Sequence, residues 1–218
     1  MTSPNVERWI HKHRHFLGSR VLEIGSRHYE GRSTSIRDIL SVSNPRSSII
    51  GVDIQDGKNV DVVIDLTVDD LTPLMPKSGD GFDTVICLSV LEHVPSVWKM
   101  ADNLQRLLQP GGSIFLSVPF VFRIHEYPVD CWRFTPTAIE HLFPEVDFLN
   151  FEHSEATAAD GSARMSLGNG RHTKLNRFVS AVMGNENKQI RKLEKTLGSV
   201  SVPYQMRPTM LNFLGKRI

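Results

Sequence analysis

The chain of 218 residues contains little cysteine and no long apolar run. Its two cysteines, Cys87 and Cys131, are too few for a disulfide framework, which favours free thiols in a reducing cytoplasm. No apolar stretch approaches the roughly 20 residues that a membrane-spanning helix needs, and the N-terminus lacks the apolar core of a signal peptide. We therefore expect a cytoplasmic protein without a membrane span.

An excess of charge of one sign is also missing. There are 25 Lys and Arg residues against 24 Asp and Glu, so the formal net charge is +1. This balance gives no general attraction to nucleic acid or to an anionic membrane. The length and the 40% hydrophobic content predict one buried core. We expect a single domain with no nucleic-acid partner.

The first segment with a clear pattern is 21–27, Val-Leu-Glu-Ile-Gly-Ser-Arg. Apolar residues around Glu23, closed by Gly25, are typical of a buried parallel strand that enters a tight turn. A turn whose backbone approaches a ligand closely favours a residue without a Cβ. Ligands bind at the C-terminal ends of the strands in an open α/β sheet, so Glu23 and Gly25 indicate the binding edge.

Later segments alternate between strand and helix periodicity, which predicts a parallel, doubly wound α/β sheet with helices on both faces. The predicted helices lie at 5–17, after Ser33 or Ser35, at 96–109 and after the cap Thr135-Pro136. The seven predicted strands begin at Val21 and continue at 49–54, 60–66, 82–90, 113–118, 148–151 and 209–217. The core is thus 18–153, and 154–207 is predicted as an insertion or lid, with a loop at 154–170 and helices at 173–183 and 186–197.

Asp53 ends the second predicted strand at a distance from the glycine turn that is typical of nucleotide-binding folds. A carboxylate at this place can accept hydrogen bonds from both ribose hydroxyls at once. Taken alone, Asp53 is also a common residue for the turn at the end of a strand. Together with Glu23 and Gly25 it indicates a ligand with a ribose.

Five features now stand in one order: Glu-Ile-Gly at 23–25, Asp53, Asp65, Leu-Glu-His-Val at 91–94 and Leu-Leu-Gln-Pro-Gly-Gly at 107–112. In this order they resemble the class I S-adenosylmethionine-dependent methyltransferases, over residues 18–150 and the closing strand. The resemblance implies a Rossmann-like fold with S-adenosylmethionine as the cofactor. The second and third glycines common in the family's first turn are replaced by Arg27 and Tyr29, and Gly31 is placed to restore the close approach.

The resemblance also implies a role for each matching residue. The methionyl end of the cofactor would contact Glu23, Gly25, Ser26 and Arg27, and its ribose would contact Asp53. The adenine would face Ile54, Asp65 and Leu66. The sulfonium would lie beside Cys87, Leu88 and Ser89. His93 either contacts the cofactor or the substrate, or caps the loop that follows it.

The acceptor is indicated by the segment 125–135, His-Glu-Tyr-Pro-Val-Asp-Cys-Trp-Arg-Phe-Thr. It resembles a His-x-x-Pro-x-Asp-x-Trp-Arg-Phe-Thr pattern in a branch of these methyltransferases, some of which act in surface-polysaccharide and other glycan pathways. A sugar hydroxyl is a poor nucleophile unless its proton leaves during attack, so a general base is needed. His125 is the first candidate, and Asp130 is the second, either as the base or as the group that orients His125.

Two interpretations of the other residues in this segment remain open. In one, Tyr127 and Trp132 stack on a sugar face and Arg133 contacts the substrate. In the other, Asp130 and Arg133 form a local ion pair and the aromatic residues pack the loop onto the sheet.

The sequence predicts O-methylation of a sugar or glycan precursor. The alternatives are an O- or N-methyltransferase for another small molecule and a catalytically silent binding subunit. A nicotinamide-dependent oxidoreductase would show the full glycine fingerprint, so it is disfavoured. No metal site is predicted, although carboxylates of distant loops remain an option for a divalent ion. The oligomeric state is left open.

Overall fold

The computed structural model describes residues 4–28, 35–75, 80–125, 128–158, 164–167 and 209–218. Tyr29, Gly31 and Tyr127 lie outside these residues, as do both helices predicted within 173–197. The described ranges form one mixed sheet with helices on both faces.

Four helices and nine strands occur in the described ranges. The helices are α1 (Pro4–Lys12), α2 (Ile36–Ser43), α3 (Val97–Leu107) and α4 (Pro136–Leu142). The strands are β1 (Arg20–Ile24), β2 (Ser48–Asp53), β3 (Val62–Val63), β4 (Phe82–Leu88), β5 (Leu108–Val121), β6 (Val146–Asp147), β7 (Glu155–Ala158), β8 (Arg164–Ser166) and β9 (Thr209–Arg217). Short 3-10 turns lie at Arg14–Phe16, Leu91–His93 and Leu149–Phe151.

The strand order is β3-β2-β1-β4-β5-β9-β7-β8, and β6 pairs with β9 to the side of this series. Strands β1 to β5 pair in parallel, whereas β9 runs antiparallel between β5 and β7. This arrangement confirms the Rossmann-like, doubly wound class with a mostly parallel sheet. The described chain has more strands than the seven predicted.

Each face of the sheet carries its own apolar core. On one face, α1 and α2 contribute Trp9, Ile10 and Leu40, which pack against β1, β4 and β5. On the other face, α3 and α4 contribute residues such as Leu104 and Ile139. Fully burying one such aliphatic or aromatic side chain stabilises a fold by about 1.5–3 kcal/mol. The polar C-terminal edge of the sheet lies between these two cores.

The helix caps follow the expected chemistry. Ser35 begins α2 with a capping box, in which its hydroxyl accepts from the Asp38 amide and the Asp38 carboxylate accepts from the Ser35 amide. The predicted cap Thr135 is confirmed, since its hydroxyl accepts from the Ala138 amide and Pro136 occupies the first turn of α4.

The strand predicted at 148–151 is wrong. That segment contains a 3-10 turn in which Leu149 and Asn150 have φ angles of 49° and 52°, incompatible with a strand. After this turn the chain next pairs with β9 at β7, in a segment predicted to be a loop. The small and polar residues of β7 carry no apolar pattern, and its pairing with β9 decides its structure.

Several predicted boundaries also need correction. The first helix ends at Lys12 rather than 17, and the third strand is reduced to Val62–Val63. The helix predicted at 96–109 ends at Leu107, and β5 begins at the next residue, so Pro110-Gly111-Gly112 lies within a strand. The extended backbone of Leu108, with φ −82° and ψ 129°, ends the helix before the proline does. Among the described residues, no helix is both long enough and apolar enough to cross a bilayer.

Candidate active site

A cleft opens at the C-terminal ends of β1, β4 and β5, on the face that carries α1 and α2. It is lined by Val6 of α1, by Ser35 and Ile36 at the start of α2, and by Glu23, Ile24, Gly25, Ser26, Arg27, His28, Ile86, Leu88, Ser89 and Ser117 of the sheet and its turns. The cleft therefore contains the four residues predicted to cradle a ligand after the first strand. It also contains Leu88 and Ser89 at the end of the fourth strand.

The turn after β1 requires glycine. Gly25 has a φ of +70°, and a Cβ built on it would lie 2.5 Å from Val90 Cγ2. The amides of Gly25 and Ser26 donate to the Val52 carbonyl at 2.9 and 3.1 Å, which attaches the turn to the end of β2. The first turn is thus a tight connection whose shape excludes a side chain at residue 25.

We expect Gly25→Ala to lower the free energy of unfolding by about 1–3 kcal/mol, since it adds backbone strain and a contact with Val90. Gly111→Ala is the matched control, because Gly111 has a φ of +75° but no atom lies within 4 Å of the position of its Cβ. Urea unfolding of both variants separates the strain from the contact. An equal loss of unfolding free energy in the two variants would show that the contact with Val90 does not restrict the turn.

Asp53 lies beside this turn at the end of β2. Its carboxylate accepts from the Arg27 amide at 3.4 Å and from the Gln55 amide at 3.0 Å. Ile54 follows with 56% of its surface exposed. The structure therefore brings Asp53 to the glycine turn and leaves Ile54 on the surface next to it.

The other predicted cofactor residues divide into two groups. Asp65 is exposed, and one of its carboxylate oxygens accepts from the amide and the hydroxyl of Thr67 at 2.8 and 2.7 Å. Leu66 and Cys87 are buried in the core on the α3 and α4 face, where burial raises the pKa of the Cys87 thiol. Neither residue lines the cleft.

Ser89 is the point at which the fourth strand leaves the sheet. Its φ of 54° is unusual for a residue other than glycine, and its amide donates to the Ser117 carbonyl at 2.8 Å. Non-glycine residues in this conformation are often found at functional sites. Ser117 itself was missed by the sequence interpretation, although a single serine within the apolar run of β5 is the signal that would have found it.

The loop after β5 brings His125, Asp130 and Arg133 together. The Arg133 guanidinium donates to both carboxylate oxygens of Asp130 at 2.5 and 2.8 Å, and the His125 amide donates to one of them at 2.8 Å. The Asp130 side chain is only 1% exposed. The hydrogen bonds from Arg133 hold the pKa of Asp130 far below its usual range.

The His125 ring is held on its Nδ1 side. Nδ1 lies 3.2 Å from Asp130 Oδ2 and 3.2 Å from the Arg123 carbonyl. Both partners are acceptors, so they favour the tautomer in which Nδ1 carries the proton and Nε2 carries the lone pair.

Arg133 and Trp132 hold the loop in place. Arg133 also donates to the carbonyls of Phe122 and Arg123 at 3.2 and 3.0 Å. Trp132 donates from Nε1 to the Val94 carbonyl at 2.8 Å and packs against the core. These contacts match the interpretation in which the ion pair and the aromatic residues pack the loop onto the sheet.

The turn after β4 places two more ionisable groups beside His125. His93 Nδ1 lies 2.6 Å from the Val129 carbonyl, and the rings of His93 and His125 meet edge to face with centroids 4.9 Å apart. Burial lowers the pKa of His93. Glu92, which the sequence interpretation did not single out, is 1% exposed, and burial raises the pKa of its carboxyl to about 7.

A family model described as a methyltransferase domain matches residues 4–156. A curated relative, the ubiquinone biosynthesis O-methyltransferase of Paraburkholderia phymatum, is 30% identical over 116 residues, which are 50% of this chain and 48% of the relative. The chain thus spans about half the length of the curated relatives it matches.

Solved structures show the same fold. The S-adenosylmethionine-dependent methyltransferase of Archaeoglobus fulgidus has a TM-score of 0.54 and 15% identity, covering 98% of this chain and 93% of that one. The 1,6-didemethyltoxoflavin-N1-methyltransferase of Burkholderia thailandensis, solved with its substrate and S-adenosylhomocysteine, has a TM-score of 0.52 and 14% identity, covering 98% and 77%. At such identities the likeness concerns the fold alone.

Proposed function

The chain belongs to the methyltransferase domain family, and on this basis we propose that it transfers a methyl group from S-adenosylmethionine to a hydroxyl of a sugar or glycan precursor. The observation that carries the proposal is the position of His125. Its ring stands at the C-terminal edge of the sheet, and Asp130 and a backbone carbonyl hold one of its nitrogens.

The cleft beside β1 fits the proposed cofactor. The glycine turn lines this cleft, and a Cβ at residue 25 would disturb the turn by meeting Val90 at 2.5 Å. The hydroxyl oxygens of Ser26 and Ser117 are buried and have no hydrogen-bond partner among the described residues, so they are available to a polar ligand. Asp53 stands next to the turn, and its carboxylate can accept hydrogen bonds from the hydroxyls of a ribose.

In this proposal S-adenosylmethionine supplies an electrophilic methyl group on a sulfonium. Glu23, Gly25, Ser26 and Arg27 line the methionyl end, and Leu88 and Ser89 border the reacting centre. Methyl transfer is an in-line displacement, so the protein's main task is to align the acceptor, with the reacting atoms about 3–3.5 Å apart.

We assign the removal of the acceptor's proton to His125. The lone pair on Nε2 is available because the acceptors around Nδ1 favour a proton on that nitrogen. Asp130 is the group that orients His125. The carboxylate of Asp130 is a poor base, since two hydrogen bonds from Arg133 keep its pKa low.

The sugar or glycan acceptor is supported by the pattern of residues 125–135 alone. The names of the curated relatives support a second candidate, a hydroxyl acceptor other than a sugar, because they describe O-methyltransferases of ubiquinone biosynthesis. Under either candidate His125 has the same task, since a neutral hydroxyl must lose its proton.

The first experiment is calorimetric titration of the full chain with S-adenosylhomocysteine and, separately, with NADH. We expect micromolar affinity for the former and no heat from the latter. Transfer of labelled methyl groups to panels of sugars, nucleotide sugars and phenols then distinguishes the two acceptor candidates. Failure to bind S-adenosylhomocysteine would favour a silent binding subunit.

Asp53→Asn is expected to weaken the affinity for S-adenosylhomocysteine by about 10- to 100-fold, because hydrogen bonds from the ribose to a charged acceptor are weakened. Asp102→Asn on the exposed side of α3 is the matched control and should bind as the wild type does. Calorimetry of the two variants measures the difference. Unchanged affinity in Asp53→Asn would remove Asp53 from the cofactor site.

A further inference from the structure

Glu92, His93 and His125 form a cluster in which each residue offers one ligand atom within 4.8 Å of the others. Glu92 and His93 belong to the turn after β4, and His125 belongs to the loop after β5. Their separation along the chain explains why no metal site was predicted from the sequence. One carboxylate and two imidazoles so close together make the cluster a candidate cation site.

The Glu92 carboxylate points to the same conclusion. It is 1% exposed, its Oε1 lies 3.9 Å from His93 Nε2, and its Oε2 has no hydrogen-bond partner among the described residues. Burying a carboxylate without a partner is costly. A bound cation would compensate the charge of Glu92 at the place where the protein leaves one oxygen unsatisfied.

In both histidines the contacts at Nδ1 favour a tautomer that can bind a metal through Nε2. His93 Nδ1 faces the Val129 carbonyl, and His125 Nδ1 faces Asp130 and the Arg123 carbonyl. Acceptors at Nδ1 leave the lone pair on Nε2. Metal-binding histidines typically have this arrangement, in which the second nitrogen donates to a carboxylate or a backbone carbonyl.

We propose that Glu92, His93 and His125 bind a divalent zinc ion through the carboxylate and the two Nε2 atoms. Two imidazoles and one carboxylate form a ligand set suited to zinc, with a fourth position open to water or a ligand. Bonds of about 2.0–2.1 Å in a tetrahedral site require the ligand atoms to be closer than 4.8 Å. The His125 side chain is the most exposed of the three, at 30% against 15% for His93 and 1% for Glu92, so it is the ligand that would shift to complete the site.

Zinc binding has a consequence that rests on the proposed function. The one lone pair on His125 Nε2 either accepts the acceptor's proton or binds the metal. Zinc therefore inhibits methyl transfer by occupying the base. Binding of the ion itself depends only on the cluster and not on the reaction.

The binding test uses Co²⁺ as a probe, added to the full chain after treatment with a chelator and followed by visible absorption. We expect intense bands typical of tetrahedral cobalt, which Zn²⁺ abolishes by competition. Glu92→Gln and His93→Gln should each weaken Co²⁺ binding at least about tenfold. His141→Gln, on the exposed side of α4, is the matched control. Circular dichroism verifies that each variant is folded.

Unchanged Co²⁺ affinity in folded His93→Gln would overturn the proposed site. The second arm measures methyl transfer with and without Zn²⁺. The expected result is loss of turnover with unchanged binding of S-adenosylhomocysteine, reversed by a chelator. Turnover that persists with zinc bound would overturn the inhibition. If no methyl transfer occurs with any acceptor, the proposed function fails while the Co²⁺ result still decides the metal site.

Discussion

Replacing His125 with Gln is expected to lower kcat by a factor on the order of 10²–10⁴, the usual contribution of a positioned general base. Glutamine approximates the size and polarity of the imidazole but cannot accept a proton near neutral pH. The backbone amide of residue 125 can still donate to Asp130, so the conformation of the loop should be preserved. Affinity for S-adenosylhomocysteine should stay the same, because the cleft beside β1 is formed by other residues.

The measurement is steady-state methyl transfer in buffer with a chelator, combined with calorimetric titration of S-adenosylhomocysteine. Exposed His141→Gln is the control and should retain the wild-type kcat. Full activity in His125→Gln would remove His125 from the mechanism. A loss of cofactor affinity that parallels the loss of kcat would indicate that His125 supports the cleft rather than the reaction.

Arg133→Leu is expected to destabilise the fold by about 1–3 kcal/mol, the usual cost of leaving an acceptor without its donor. The substitution leaves the Asp130 carboxylate, 1% exposed, without the guanidinium that donates to both of its oxygens. The remaining carboxylate would be uncompensated, and the cost stays below that of a fully buried ion pair because the Arg133 side chain is 28% exposed. The loop also loses the hydrogen bonds from Arg133 to the carbonyls of Phe122 and Arg123.

The effect of Arg133→Leu should depend on pH in a defined direction. In the wild type the pKa of Asp130 lies below its unfolded value of about 3.9, so its contribution to stability is present above that pH. The contribution is lost as the pH falls toward the folded pKa, because the unfolded state takes up a proton first. The difference in unfolding free energy between wild type and variant should therefore be largest near pH 7 and shrink below about pH 4.

Urea unfolding at several pH values measures this difference. Arg133→Lys keeps the charge without the planar fork and should fall between the wild type and Arg133→Leu. Arg46→Leu, at an exposed position, is the control and should change stability by no more than about 0.5 kcal/mol. A difference that stays constant with pH would mean that Asp130 is not the source of the loss.

The parallel part of the fold could be predicted because its signals are local. Gly25 after an apolar strand, Asp53 at the end of the next and Thr135-Pro136 before a helix each have one dominant structural meaning. The antiparallel part could not be predicted, since β7 has few apolar side chains and depends on hydrogen bonds to β9, which is distant along the chain. Register in such a strand is set by its neighbours.

The candidate site was likewise predicted from the sequence only in part. The pattern around residue 125 located the loop, and the sequence left open whether Arg133 contacts a substrate or pairs with Asp130. In the structure its guanidinium donates to Asp130 and to the carbonyls of Phe122 and Arg123. The burial of Glu92 could not be predicted because residues far along the chain pack beside it: the amides of Cys131 and Trp132 donate to its backbone carbonyl. The roles of His125 and Asp130 in catalysis stay predictions.

The position of β9 between β5 and β7 has a consequence for biosynthesis. A ribosome makes β5 and β7 long before β9, so the nascent chain carries two strands whose facing edges lack their partner. Exposed strand edges invite pairing with other chains. The central part of the sheet can therefore close only after Thr209–Arg217 has been made, and until then the facing edges of β5 and β7 are open to pairing with other chains.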